Sequence, residues 1–175
     1  MQTMRMTHAS EADVPALAAL EALCFPPEEA ASEAALAARV KTYGSHFYLL
    51  WQGETLVSFI DGFCTDRADL TDDMFAEASQ HSERGAWQML FGVNTHPDHR
   101  RQGHAGRLIR AMIADAQAQG RKGLVLTCKE ALLPWYTSFG FVNEGISVSE
   151  HGGACWYQMR ICFEDESVNK TPDRL

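Results

Sequence analysis

The residues whose types and spacing most clearly imply chemistry are Arg100, Gly103, Ala105 and Gly106. They lie in the stretch His96-Pro-Asp-His-Arg-Arg-Gln-Gly-His-Ala-Gly106. An apolar run, Met89-Leu-Phe-Gly-Val93, leads into this stretch, and an amphipathic helical pattern from Ala105 to Gln119 leads out of it. Backbone N–H groups in a tight turn at a helix N-terminus form a site for phosphate or pyrophosphate. Glycines let the backbone come close to such a ligand. Arg100 and Arg101 add positive charge beside the turn, whereas Arg110 and Arg121 read as solvated helix positions. No Gly-Lys-Ser/Thr follows the turn, which excludes a Walker P-loop. His96-x-x-His99 lacks an evident third ligand, so no metal is expected there.

The rest of the composition narrows the ligand. The chain has 175 residues and a formal net charge of −8, which disfavours general nucleic-acid binding. A local basic patch in an acidic chain suits a small anionic ligand instead. The five cysteines, Cys24, Cys64, Cys128, Cys155 and Cys162, form no CxxC pair. Neither a disulfide framework nor a thiolate metal site is indicated, and a reducing cytoplasm fits best. No apolar run approaches the length of a membrane span, and the N-terminal residues lack a signal-peptide core.

The elements that must position the turn follow from periodicity. A first strand is predicted over 4–8, then a helix introduced by the capping-box pattern of Ser10 and Asp13. It ends near Phe25-Pro26-Pro27, and a second helix is expected over 28–40. Two strands, 46–52 and 55–64, flank Gly53-Glu54 as a hairpin. A polar loop over 65–85, with a helical turn around 73–78, precedes a buried strand over 86–94. After the turn, Ala105, Leu108, Ile109, Met112, Ile113 and Ala116 share one helical face. A strand at 123–127, a short helix at 130–138 and two closing strands, 141–149 and 154–162, complete the pattern. The order predicts a mixed α/β fold with helices on both faces of the sheet, in one domain over 1–163 with a polar tail over 164–175. It is not the repeated βαβ order of a dinucleotide fold.

Arg100-x-x-Gly103-x-Ala105, after a strand and before a helix, with Pro97 three residues ahead of the arginine, resembles the pyrophosphate loop of the GNAT superfamily of acyl-CoA-dependent N-acyltransferases. Leu133-Pro-Trp-Tyr-Thr-Ser-Phe-Gly-Phe141 resembles the family's tyrosine helix and closing Gly-Phe. The wording Cys128-Lys-Glu-Ala-Leu-Leu-Pro-Trp-Tyr136, with Cys24-Phe-Pro-Pro27, is most similar to the arylalkylamine N-acetyltransferase branch. The resemblance implies a central mixed, mostly antiparallel sheet of about seven strands flanked by about four helices. It implies acetyl-CoA as co-substrate and no metal. Backbone groups of Val93, Asn94 and Thr95 would pair with the pantetheine arm. The segment Arg100, Arg101, Gln102, Gly103, His104, Ala105 and Gly106 would hold the pyrophosphate, and Tyr136 would protonate the leaving thiolate.

The implied reaction is direct attack of a primary amine on the thioester, which needs a base for the amine and an acid for the sulfur. The expected partner is a small arylalkylamine- or polyamine-like molecule, not nucleic acid or membrane, with a homodimer left open. Protein N-termini, lysines and aminoglycosides are alternative acceptors, and an acyl-CoA sensor is the alternative from another class. Phe25, Pro26, Pro27, Met89 and Phe91, with Trp156, are candidate walls of the acceptor pocket. Met89 and Phe91 stand where the arylalkylamine branch carries a pair of histidines. The base therefore falls among His96, Glu130, Asp61 and Glu21. Asp61, amid apolar residues, reads equally as a buried hydrogen-bonded carboxylate or as a partner for a cationic amine.

Overall fold

The computed structural model describes residues 2–164. The tail expected over 164–175 lies, after its first residue, outside the described residues. Among the described residues, nine strands form two sheets, accompanied by five α-helices, of which α3 (Asp73–Ala76) is a single turn. One sheet has the order β1 (Met4–Thr7), β2 (Phe47–Gln52), β3 (Thr55–Asp61), β6 (Gly92–Thr95). The other has the order β4 (Cys64–Thr65), β5 (Trp87–Leu90), β7 (Gly123–Cys128), β9 (Tyr157–Cys162), β8 (Val142–Ile146). Every pairing is antiparallel except β5 with β7. Among the described residues, no helix is long and apolar enough to cross a membrane.

Helices cover both faces, and the strands record this. On β2, Phe47 and Leu49 enter the cluster under α1 (Val14–Cys24) and α2 (Glu33–Tyr43). Tyr48 and Leu50, one residue out of phase, enter the cluster under α4 (His104–Ala118). A strand buried on both sides needs apolar residues at every position, which is why 47–50 reads as a continuous run. The predicted face of α4 is observed, with Leu108, Ile109, Met112 and Ala116 buried.

Two local expectations are corrected. The second helix begins at Glu33, not near residue 28. Glu29 and Ala30 instead donate their N–H groups to Pro26 O in a turn, Ala31 N donates to the Glu21 carboxylate, and Ser32 caps the helix by accepting from Ala35 N. The predicted strand over 86–94 is two strands in different sheets, parted at Phe91. β5 pairs with β7 and β6 pairs with β3, while Phe91 N donates to Asp61 O between them. Periodicity sees one apolar run because both halves are buried; only the pairing partners divide it.

Candidate active site

The parting of β5 from β6 opens a cleft of about 1240 Å³ between the two sheets. Ligand pockets commonly hold about 300–1,000 Å³, so this one has room for a long cofactor together with an acceptor. Among the described residues β6 pairs with β3 alone, which leaves its other edge unpaired. Val93 and Thr95 line the cleft; Asn94 is fully buried beneath them, its carbonyl accepting from Ser58 Oγ at 2.6 Å. Thr95 O already accepts from Cys24 Sγ at 3.3 Å and Arg100 Nε at 3.2 Å.

The glycine turn is built as its residue types demand. Arg101 has φ 62° and is the only non-glycine in the left-handed region among the described residues. Gly103 follows with φ 80° and is the N-cap of α4. A side chain added at Gly103 would meet nothing within 4 Å, so backbone conformation, not crowding, requires glycine there. Successive turn residues of this kind aim backbone N–H groups into one concavity. The first turn of α4 adds unsatisfied N–H groups and the positive end of its dipole. Gly106 serves packing: a Cβ there would lie 3.2 Å from Phe139 Cζ. Arg100, Arg101, Gly103, His104, Ala105 and Gly106 line the cleft; Gln102 is exposed and does not. Arg110, which reads from sequence as a solvated position, also lines the cleft and lies over the Phe139 ring.

Tyr136 reaches the same cleft from α5 (Leu133–Thr137). Its ring packs edge-on against Trp135 and Phe141, at centroid distances of 4.8 and 5.9 Å. Burial, with a smaller contribution from nearby Cys128, pushes the phenol well above its ordinary range, so it stays protonated at neutral pH. Cys24 is raised by burial, Cys64 to about 12 and Cys128 to about 11, so these thiols are held as S–H rather than thiolate.

The four candidates for a base are separated by position. His96 caps the turn after β6 by accepting from Asp98 N, and Glu130 is exposed; neither lines the cleft. Asp61 is 1 % exposed and lies behind the cleft wall. Glu21 is 4 % exposed and does line it. Burial first, then the neighbouring Asp61 charge, raise the Glu21 carboxyl to about 7. Its Oε1 accepts from Ala31 N at 3.2 Å, while Oε2 makes no hydrogen bond of good geometry among the described residues.

The wall residues divide similarly. Phe25, Pro26 and Phe91 line the cleft; Pro27 is exposed outside it, and Met89 is fully buried in the core under α1 and α2. Met89 is therefore core and not pocket wall. An aromatic run lines the cleft instead: Phe91 to Phe75 at 4.9 Å, Phe75 stacked on His151 at 5.1 Å, and His151 against Trp156 at 5.9 Å. Arg39, not singled out from the sequence, also lines the cleft, buried and paired with Asp61 at 3.3 Å. Its only sequence signal is its place between Leu36 and Tyr43, on the buried face of α2.

Away from the cleft, His46, His81 and Glu83 bring potential ligand atoms within 4.8 Å of one another. Cys64 N donates to His81 Nδ1 at 3.1 Å, which puts the imidazole proton on Nε2. That proton is donated to Glu83 at 2.9 Å, and Arg121 lies 3.7 Å from the same carboxylate. The group is a hydrogen-bond network whose His81 lone pair is already used.

The family model of the acetyltransferase (GNAT) domain matches residues 43–143, more than half of the chain. The chain belongs to the GNAT acetyltransferase family. It is an acyl-CoA-dependent N-acetyltransferase. Solved structures of the same fold include the loading GNATL domain of CurA from Lyngbya majuscula. The two share 19% identity with a TM-score of 0.78, over 91% of this chain and 98% of that one. The GphF GNAT-like decarboxylase in complex with isobutyryl-CoA is 22% identical with a TM-score of 0.72, over 90% and 98% of the two chains. The ribosomal-protein-S18-alanine N-acetyltransferase from Escherichia coli is 19% identical with a TM-score of 0.68, over 94% and 97%. At these identities the likeness speaks for the GNAT fold alone.

Proposed function

We propose that this GNAT enzyme transfers the acetyl group of acetyl-CoA to a small arylalkylamine, with Glu21 as general base and Tyr136 as general acid. The observation that carries the reading is that one cleft is lined by the glycine turn, the free edge of β6, Glu21 and Tyr136. The pyrophosphate would lie on the amides of residues 101–106 and the pantetheine arm along Val93–Thr95. An alkylammonium holds its proton with a pKa of about 10, so it must lose that proton before it can attack. Glu21 takes the ammonium proton and passes it to solvent; the amine nitrogen bonds to the thioester carbonyl carbon; the C–S bond breaks as Tyr136 gives its proton to the departing sulfur; the nitrogen then gives up its second proton, which restores the Tyr136 phenol. The products are the acetamide and CoA.

The arylalkylamine assignment rests on the acceptor walls. The aromatic run from Phe91 to Trp156 suits a ring. A polyamine would need carboxylates for its further ammonium groups. Glu29 is committed to Lys129 at 2.7 Å, and Asp72 to the Ser149 hydroxyl and Glu150 N. The test is thiol release from acetyl-CoA with arylalkylamines, polyamines, aminoglycosides and peptides bearing free N-termini. Arylalkylamines are expected to give the highest kcat/KM. Turnover confined to peptides would overturn the small-amine reading, and tight acetyl-CoA binding without thiol release from any amine would point to a sensor.

Gly103→Glu tests the donor end. It places a side chain at φ 80° and a negative charge at the N-terminus of α4. The Kd for acetyl-CoA, measured by calorimetry, is expected to rise about tenfold or more, a loss of about 1.4 kcal/mol. A wild-type Kd would place the phosphates elsewhere.

A further inference from the structure

Behind Glu21 lies a buried polar group that the proposed reaction leaves without a role. It is assembled from Arg39 and Tyr43 on α2, Asp61 on β3 and Asn94 on β6. Arg39 Nη1 donates to Asp61 Oδ2 at 3.3 Å, and Arg39 Nη2 donates to Phe75 O at 3.0 Å. Among the described residues, Asp61 Oδ1, Glu21 Oε2 and the side-chain atoms of Asn94 make no hydrogen bond of good geometry, although Asn94 stands close enough to Glu21, and Tyr43 to Asp61, to lower each carboxyl.

These orphaned atoms converge on Gly92. A Cβ built there would stand 3.1 Å from Asp61 Oδ1, 3.4 Å from Asn94 Nδ2 and 3.9 Å from Glu21 Oε2. Two carboxylate oxygens on different elements therefore face one small space that a side chain at residue 92 would fill. Unpaired polar atoms are costly in an interior, and two carboxylates beside one guanidinium leave an uncompensated negative charge when both are ionised. A proton on Glu21 removes that charge. Asp61, bonded to Arg39, is the natural holder of the remaining one.

We propose that Arg39 and Asp61 form a buried charge lever behind Glu21, a like and an opposite charge that bear on its carboxyl from two other elements. The proposal rests on the reading of Glu21 as the base, and makes Arg39 and Asp61 positioning residues for that base. The directions of the shifts agree. Asp61 raises the Glu21 carboxyl and Arg39 lowers it, Asp61 being the stronger of the two. Burial also raises Asp61 itself, while Arg39 pulls it back. Two neutral groups adjoin the set: Cys24, on the helix of Glu21, is a thiol held protonated by burial, and Tyr43, beside Asp61 and Arg39, is a phenol held neutral by burial. Asn94 carries no charge. The lever thus has two charged arms, and they act in opposite senses.

The test is the titration midpoint of the Glu21 side-chain carboxyl, followed by ¹³C NMR in the whole protein and assigned through its loss in Glu21→Gln. Asp61→Asn is expected to lower the midpoint by about one pH unit or more, and Arg39→Met to raise it by a similar amount. The acidic limb of kcat/KM against pH should move with each midpoint. Midpoints that stay at the wild-type value, or move in the same direction in both variants, overturn the lever. Breaking a buried pair leaves a lone charge and can prevent folding. The double variant Arg39→Met/Asp61→Asn removes both charges together; its midpoint is expected below wild type, and an unmoved midpoint would equally overturn the proposal. The base reading is decided separately: full turnover in Glu21→Gln would end it, whereas the midpoints still decide the lever.

Discussion

Tyr136→Phe is expected to lower kcat by roughly 10²- to 10³-fold, the usual weight of a positioned acid, while leaving the Kd for acetyl-CoA unchanged. The substitution removes one oxygen and keeps the ring, so the edge-on packing against Trp135 and Phe141 survives. Burial keeps the wild-type phenol protonated through the neutral range, as the proposed acid requires. The chemistry needs that proton when the C–S bond breaks, because an unprotonated thiolate returns readily to the carbonyl. Single-turnover measurement of CoA release, with calorimetry for binding, separates the two effects. A kcat within threefold of wild type would remove Tyr136 as the acid.

Glu21→Gln is expected to lower kcat/KM by roughly 10²- to 10⁴-fold and to abolish its acidic limb. Wild-type kcat/KM should rise with pH through about 7, as Glu21 loses its proton and becomes able to accept one from the amine. Glutamine preserves the acceptor for Ala31 N but has no proton affinity in this range. Stability moves in the opposite sense. The folded-state pKa of Glu21 is raised, so the fold favours the protonated carboxyl. That contribution is fully present below the ordinary value of 4.5 and is lost as pH climbs through about 7. The shift corresponds to about 3 kcal/mol. Glu21→Gln is therefore expected to melt no lower than wild type at pH 8 despite its lost activity. A retained acidic limb in this variant would assign the limb, and the base, to another group. A destabilised variant at pH 8 would show that the carboxylate is satisfied where it lies.

The same residue shows where sequence reading reaches and where it stops. Glu21 is legible as a candidate because it is a carboxylate one turn before Cys24-Phe-Pro-Pro27, but so are Asp61, Glu130 and His96. Nothing in the spacing ranks them. Burial does: Glu130 and His96 stay outside the cleft, Asp61 goes behind it, and Glu21 alone of the four lines it. Met89 and Phe91, two residues apart, look equivalent as walls. The break between β5 and β6 sends Met89 into the core and Phe91 into the cleft.

The sequence by itself determined the glycine turn and the main elements around it. The turn before α4 needs Gly103 for a left-handed backbone, the helix needs its apolar face, and Tyr136 keeps its spacing to Gly140-Phe141. These are local demands, written within a few residues of one another. The tertiary structure alone decided which carboxylates and aromatic residues line the cleft. Arg39, Asp61, Glu21 and Gly92 come from four separate elements, and their protonation depends on how far each is withdrawn from water and which charge it meets. Charge coupling of that kind acts through space at a few ångströms, and its participants share no period along the chain.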